Sequence, residues 1–141
     1  MNPFSSLVTA ASVVALLTFA VGIRMYLLRV REMKANRIHP QSVALSAQRA
    51  ERLKDTRAAD NYNHLFELPV LFYALVAIAL ATGHVPAWLA VGAWAFAVLR
   101  IVHSAIQCTY NKVMHRFAVF ILGFLVLMMM WIGFIATYLA R

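Results

Sequence analysis

Cysteine is nearly absent from this chain of 141 residues: Cys108 stands alone. That excludes an internal disulfide and any zinc cage built on thiolates, and it leaves Cys108 as a small apolar side chain in a helix. Acid is scarce as well. Five Asp and Glu stand against 13 Lys and Arg, and charged residues make up 13% of the sequence, about half the share of a soluble domain. His39 and His84 fall in polar connections without a partner at metal-ligand spacing, and His64 with His103 lacks the two further ligands that a metal site needs. No glycine-rich loop cradles a phosphate, and no nucleophile elbow is present. Internal repeats of the kind that mark transporters are missing too.

What the chain has instead is apolar length. Hydrophobic residues make up 63% of it, and its mean hydropathy is +0.74. A membrane span takes about 20 mostly apolar residues. Four such runs are present, at about 4–28, 61–82, 87–110 and 117–139. The expected fold is all-α: a single integral membrane four-helix bundle.

The net charge is +8, which in a soluble protein would point to nucleic acid. The distribution excludes that reading. Nine of the 13 basic residues lie between Arg24 and Arg57, where a cytosolic loop of about 29–60 would carry them. The turn Gly83-His84-Val85-Pro86 holds no Lys or Arg and fits the outer face. Lys112, His115 and Arg116 form a second, short cytosolic connection. Both termini are then expected outside, with the terminal Arg141 the one charge against that topology. Ser46 to Arg57 has helix-forming composition and is expected to run into the second span. Trp131 and Tyr138 are expected as interface anchors, and Met128 to Met130 as packing and lipid-facing residues.

Two polar clusters intrude where lipid should be. Arg, Lys or Asp at a helix centre costs roughly 2.5–3.5 kcal/mol, so such groups are expected to face protein. The first cluster opens span two: Arg57, Asp60, Asn61, Asn63, His64 and Glu67 fall within about 160° of the helix circumference. Pro69 follows, so the hydrogen-bond ladder near Glu67 is expected to break. The second cluster ends span three. Arg100, His103, Gln107, Tyr110 and Asn111 lie on one stripe of about 100°. Arg100 can pair with Glu67 across the bundle, and the space between the stripes would be a basic pocket open to the cytosol. Snorkelling to headgroups is the bland alternative for Arg24, Arg29, Lys112 and Arg116.

Two segments carry a resemblance. They are Arg57-Ala-Ala-Asp-Asn61-Tyr-Asn63-His-Leu-Phe-Glu67-Leu-Pro69-Val-Leu-Phe-Tyr73 and Arg100-Ile-Val-His103-Ser-Ala-Ile-Gln107-Cys-Thr-Tyr110-Asn111-Lys-Val-Met-His-Arg116. With four spans in this order, the sequence resembles the membrane-associated proteins in eicosanoid and glutathione metabolism, and within them the short bacterial branch. The resemblance implies a homotrimer in a bacterial inner membrane. It implies glutathione as co-substrate, bound between subunits near the cytosolic side, and a hydrophobic small molecule as the second substrate. By position it implies Arg116 as the thiolate-stabilising residue, with Tyr110 as a further donor. Arg57, Asn61, Asn63, His64, Glu67, Arg100, His103 and Gln107 would hold the peptide. The sequence departs from the family at two of these points. His64 stands where the family has an acid, and Gln107 where it has a tyrosine.

The activity so implied is a glutathione-dependent transferase or peroxidase acting on hydrophobic electrophiles or lipid hydroperoxides. The alternative is a non-catalytic membrane protein of the same fold that binds lipid or a partner. A small channel or transporter is a weaker third, because broken half-helices and repeats are lacking.

Overall fold

The computed structural model describes residues 2–140; Arg141, with its charge against the expected topology, lies outside them. Helix α1 runs Pro3–Ala35. Its start is set locally: the Asn2 side chain accepts from the Phe4 N–H at 2.7 Å, and Pro3 sits where no N–H is needed. Leu7, Ala10, Val14, Thr18 and Val21 form its buried stripe. The helix outlasts the apolar run because Arg29 to Ala35 are mostly good helix formers. It therefore projects beyond the hydrocarbon, about 50 Å in all, and ends where Arg37 turns to φ 52°.

The connection folds back on this projection. A 3-10 turn at Pro40–Val43 precedes α2, Ser46–Arg52. The expectation that this helix runs into the second span is not met. Leu53 is extended and buried, and the Lys54 N–H donates to the Glu32 carboxylate at 2.7 Å. That bond ties the returning strand of chain to α1 before the next helix can start.

The second span is broken as Pro69 requires. Helix α3 covers Arg57–His64 and α4 covers Leu68–Ala81. Between them Glu67 adopts φ −97°, ψ −101°, and the Phe66 and Glu67 N–H groups reach only three residues back. Helix α5, Ala87–Cys108, and helix α6, Val113–Leu139, complete the bundle. Four helical stretches are long and apolar enough to cross a membrane: Pro3–Ala35, Arg57–Ala81, Ala87–Cys108 and Val113–Leu139. No β-strand occurs among the described residues.

Helix α5 is the most enclosed span; it packs chiefly on α6 and α1. The apolar core joins Leu7 and Val14 to Phe72, Leu75, Leu89, Phe96 and Leu127, with Phe72 stacked on Phe96 at 4.7 Å. Outward faces carry large apolar residues such as Phe19, Ile23, Val91, Leu122 and Met129, as a lipid solvent demands. Tyr138 is exposed near the end of α6. Trp131 is instead part-buried against the core with its indole N–H enclosed. It is a packing residue, because two helical turns separate it from the helix end.

Glycine sets the approach of α5 and α6. A Cβ at Gly92 would lie 2.8 Å from Met130 Cγ. Gly92→Val is expected to cost about 1–3 kcal/mol through overpacking. The loss should be partly relieved in Gly92→Val combined with Met130→Ala, read as unfolding midpoints of the detergent-solubilised protein.

Candidate functional site

The site is organised by the end of α5. The last four carbonyls of a helix lack partners within it, and cations favour that end. Here two arginines from other helices supply donors. Arg24 of α1 donates to the Cys108 carbonyl at 2.9 Å, and Arg57 of α3 donates to the Thr109 carbonyl. The Asn111 N–H folds back to the Ile106 carbonyl at 2.8 Å, with Asn111 in the left-handed region at φ 49°. Arg57 also forms a two-point contact with Asp55, Nε to Oδ1 and Nη2 to Oδ2, both 2.9 Å. Those hydrogen bonds from Arg57 hold the Asp55 carboxyl below its usual range.

One turn along α3, Asn61 is fully buried. Ser104 Oγ donates to its Oδ1 at 3.2 Å, and its Nδ2 donates to Cys108 Sγ at 3.4 Å. Asn61 thus fastens the second span to α5. The other members of the first cluster do not join it. Arg57, Asp60, Asn63 and Glu67 are exposed, so a stripe that is continuous on a helical wheel divides between an inner and an outer side.

The expected pair of Arg100 with Glu67 does not form. Glu67, at the helix break, faces outward and meets His64 instead, Oε2 to Nδ1 at 2.9 Å. Arg100 is 1% exposed. It lies between the rings of Phe96 and Phe120, 5.4 and 5.6 Å from their centroids. Gly123 makes room for it, since a Cβ there would sit 3.4 Å from Arg100 Nη2. Arg100 Nε and Nη2 have no acceptor.

His103 and Gln107 share this condition one and two turns on. His103 Nε2 and Gln107 Oε1 are 3.0 Å apart, so Nε2 is assigned the proton and Nδ1 the lone pair. His103 Nδ1 and Gln107 Nε2 are buried without partners. The three residues therefore present unmatched donors and an acceptor inside the bundle. Buried polar atoms are seldom left so.

Arg116 stands beside them on α6. Its Nη1 donates to Asn111 Oδ1 at 2.7 Å. With His64, His103, Val113, Phe117 and Phe120 it lines a cavity of about 190 Å³. The rings of His64 and His103 meet edge-on at 6.0 Å. Tyr110 is not brought here. It is 60% exposed, and its hydroxyl meets His115 Nδ1 at 3.2 Å. The stripe that predicted its place holds only as far as the helix does, and α5 ends at Cys108. Asn111 also lies past that end, yet its side chain positions Arg116.

Sequence reasoning missed Ser104, Gly123 and Phe120, and it left Cys108 inert. Ser104 was legible, being four residues after Arg100 on the same face. Gly123 and Phe120 were not, because their relation to Arg100 depends on the register of α6 against α5. Among the described residues no three His, Cys, Asp or Glu side chains converge on a possible metal position.

The sequence model of the MAPEG family, the membrane-associated proteins in eicosanoid and glutathione metabolism, matches residues 7–136. The chain belongs to the MAPEG family. Comparison with curated proteins gives no match, and comparison with solved structures gives none. The matched stretch takes in both polar clusters, the two middle spans whole and most of the first and last.

Two outcomes follow from this geometry. Asn61→Ala leaves the Ser104 hydroxyl unmatched in the interior and is expected to cost about 1–3 kcal/mol, seen as a lower unfolding midpoint. Asp55 has a depressed pKa in the folded protein. Its contribution is present above the unfolded value of about 3.9 and is lost as pH falls through the lower folded value. Asp55→Asn should flatten that acid limb, measured as melting curves between about pH 5 and about pH 3.

Proposed function

We propose that this MAPEG protein is a membrane-bound glutathione-dependent transferase or peroxidase, acting on hydrophobic electrophiles or lipid hydroperoxides. The observation that carries the reading is the buried, acceptor-less Arg100 with the free atoms of His103 and Gln107 beside it. A permanent cation at membrane depth calls for an anion, and the cavity at Arg116 is walled by Phe120, the ring that Arg100 lies over. A peptide with two carboxylates and a thiol fits that chemistry. Arg100 and Gln107 supply donors to the peptide. Arg116 stabilises the thiolate, since a nearby cation raises the thiolate fraction and hence the nucleophile. Lipid surrounds the spans, so the hydrophobic substrate arrives from the membrane side.

The outward face of α4 supports a reading in which copies associate. Helix α4 leaves Val70, Ala77, Ile78 and Ala81 outward, and Asn63 and Glu67 near the break are exposed as well. Small residues allow close helix packing in membranes, and uncovered polar groups are costly there. A homotrimer, as the family implies, would cover this face and bring a neighbour's residues to the pocket. Glutathione binding between subunits and a bacterial inner membrane belong to the same proposal.

One observation favours the non-catalytic alternative. An almost wholly apolar groove of about 550 Å³ runs between α5 and α6, lined by Trp88, Gly92, Met129 and Gly133 among others. That groove suits an acyl chain and contains no chemistry.

The test is glutathione titration of the detergent-solubilised protein, followed by calorimetry and by near-ultraviolet thiolate absorbance. Arg116→Ala is expected to keep binding and lose the thiolate band and turnover. Arg100→Met removes charge-assisted hydrogen bonds of about 1.5–3 kcal/mol and is expected to weaken binding roughly tenfold to a hundredfold. Full turnover in Arg116→Ala would overturn the assigned roles. Lipid binding with no glutathione affinity in the wild type would establish the alternative.

A further inference from the structure

The break in the second span sets an imidazole and a carboxylate side by side. His64 closes α3 and Glu67 is the residue before α4. Glu67 Oε2 and His64 Nδ1 are 2.9 Å apart. A carboxylate in that position accepts Nδ1–H, which leaves the lone pair of a neutral ring on Nε2. The same ring lines the cavity that holds Arg116. A base oriented by a third group, next to a cation that can hold an anion, is the arrangement that activates a weak nucleophile.

His103 shares the cavity and keeps a lone pair on Nδ1, but no carboxylate orients its ring. It is 3% exposed, and its Nε2 is engaged with Gln107. The charged and titratable groups facing His64 are therefore Glu67 at the break, His103 and, deeper, Arg100 on α5, and Arg116 on α6. Of these, Glu67 alone is an acid. It stands against the nitrogen that would share a new positive charge, and Arg116 is the cation on the cavity wall.

We propose that His64, oriented by Glu67, is the general base that takes the thiol proton of glutathione. The proposal rests on the glutathione reading given above. The S–H bond breaks, its electron pair stays on sulfur as a thiolate beside Arg116, and the proton passes to His64 Nε2. Nothing is oxidised or reduced. When the thiolate adds to an electrophile, the imidazolium returns that proton to the anion formed, and the neutral ring is restored. His64 is then a catalytic residue and Glu67 a positioning residue. General bases of this kind are worth about 10²–10⁴ in rate.

The decisive quantity is where the proton goes. Glutathione is titrated into the full-length protein in detergent near pH 7.5, about one unit above an ordinary imidazole. Calorimetry in buffers of different ionisation enthalpy counts protons released, and thiolate absorbance is read in parallel. The wild type is expected to form thiolate while releasing far less than one proton per thiolate. His64→Gln is expected either to lose the band or to keep it and release about one proton per thiolate, as a proton without an acceptor must reach the solvent. Glu67→Gln should lower kcat more than it raises KM, and Glu67→Asp should restore part of the loss.

A full proton released by the wild type overturns the proposal and leaves glutathione activation standing. So does a His64→Gln protein indistinguishable from the wild type. No glutathione binding by the wild type overturns the glutathione reading and this proposal with it. The wild-type proton count decides the matter even where a variant fails to fold.

Discussion

Arg100 carries a permanent charge into the interior of the bundle, and the helices around it are arranged accordingly. It is 1% exposed and lies between Phe96 and Phe120. A desolvated cation–π contact is worth about 2 kcal/mol, of the same order as the roughly 2.5–3.5 kcal/mol that a charge costs at a span centre. The rings therefore offset much of the burial. They do nothing for the two nitrogens that still need acceptors. Gly123 is what lets α6 close over the guanidinium, so the packing of α5 on α6 and the unmatched donors have one cause. Among the described residues the bundle offers those two nitrogens no acceptor.

A second constraint fixes where the pocket opens. Helix α5 must end with its carbonyls satisfied, and Arg24 and Arg57 reach those carbonyls from α1 and α3. The same contact holds α3 against α5, which lets Asn61 meet Ser104 and Cys108. The break before Pro69 then frees α4 from continuing the direction of α3. His64 and Glu67, three residues apart, meet at that break. Two irregular features of the backbone, a capped end and a broken span, thus place the side chains that face the cavity.

Much of this was legible in the chain because it follows from short-range rules. Hydropathy marked the four spans, Pro69 marked the break, and helical spacing put Arg100, His103 and Gln107 on one buried face. The failures have a common origin. Tyr110 and Asn111 were placed by continuing the helical period past Cys108, where the backbone no longer obeys it. Arg100 and Glu67 were paired by charge, although the break turns Glu67 outward toward His64. The contacts of the Arg57 guanidinium with Asp55 and a helix end could not be foreseen from spacing. Partners reached across helices depend on register and on turns, and periodicity carries neither.

His64 and Gln107 both meet one ring, that of His103, and their chemistry is coupled through it. An amide at Gln107 accepts from His103 and so fixes that ring's tautomer, while its own Nε2 remains free to donate. Unlike a phenol, an amide can neither give up nor take a proton near neutral pH. Proton traffic in this cavity therefore falls to imidazole, and His103 is held by the amide. His64 keeps a carboxylate one turn away. The acid is displaced from the cavity to the far side of a ring that can carry a proton. In the proposed mechanism His64 moves the proton and Glu67 orients it.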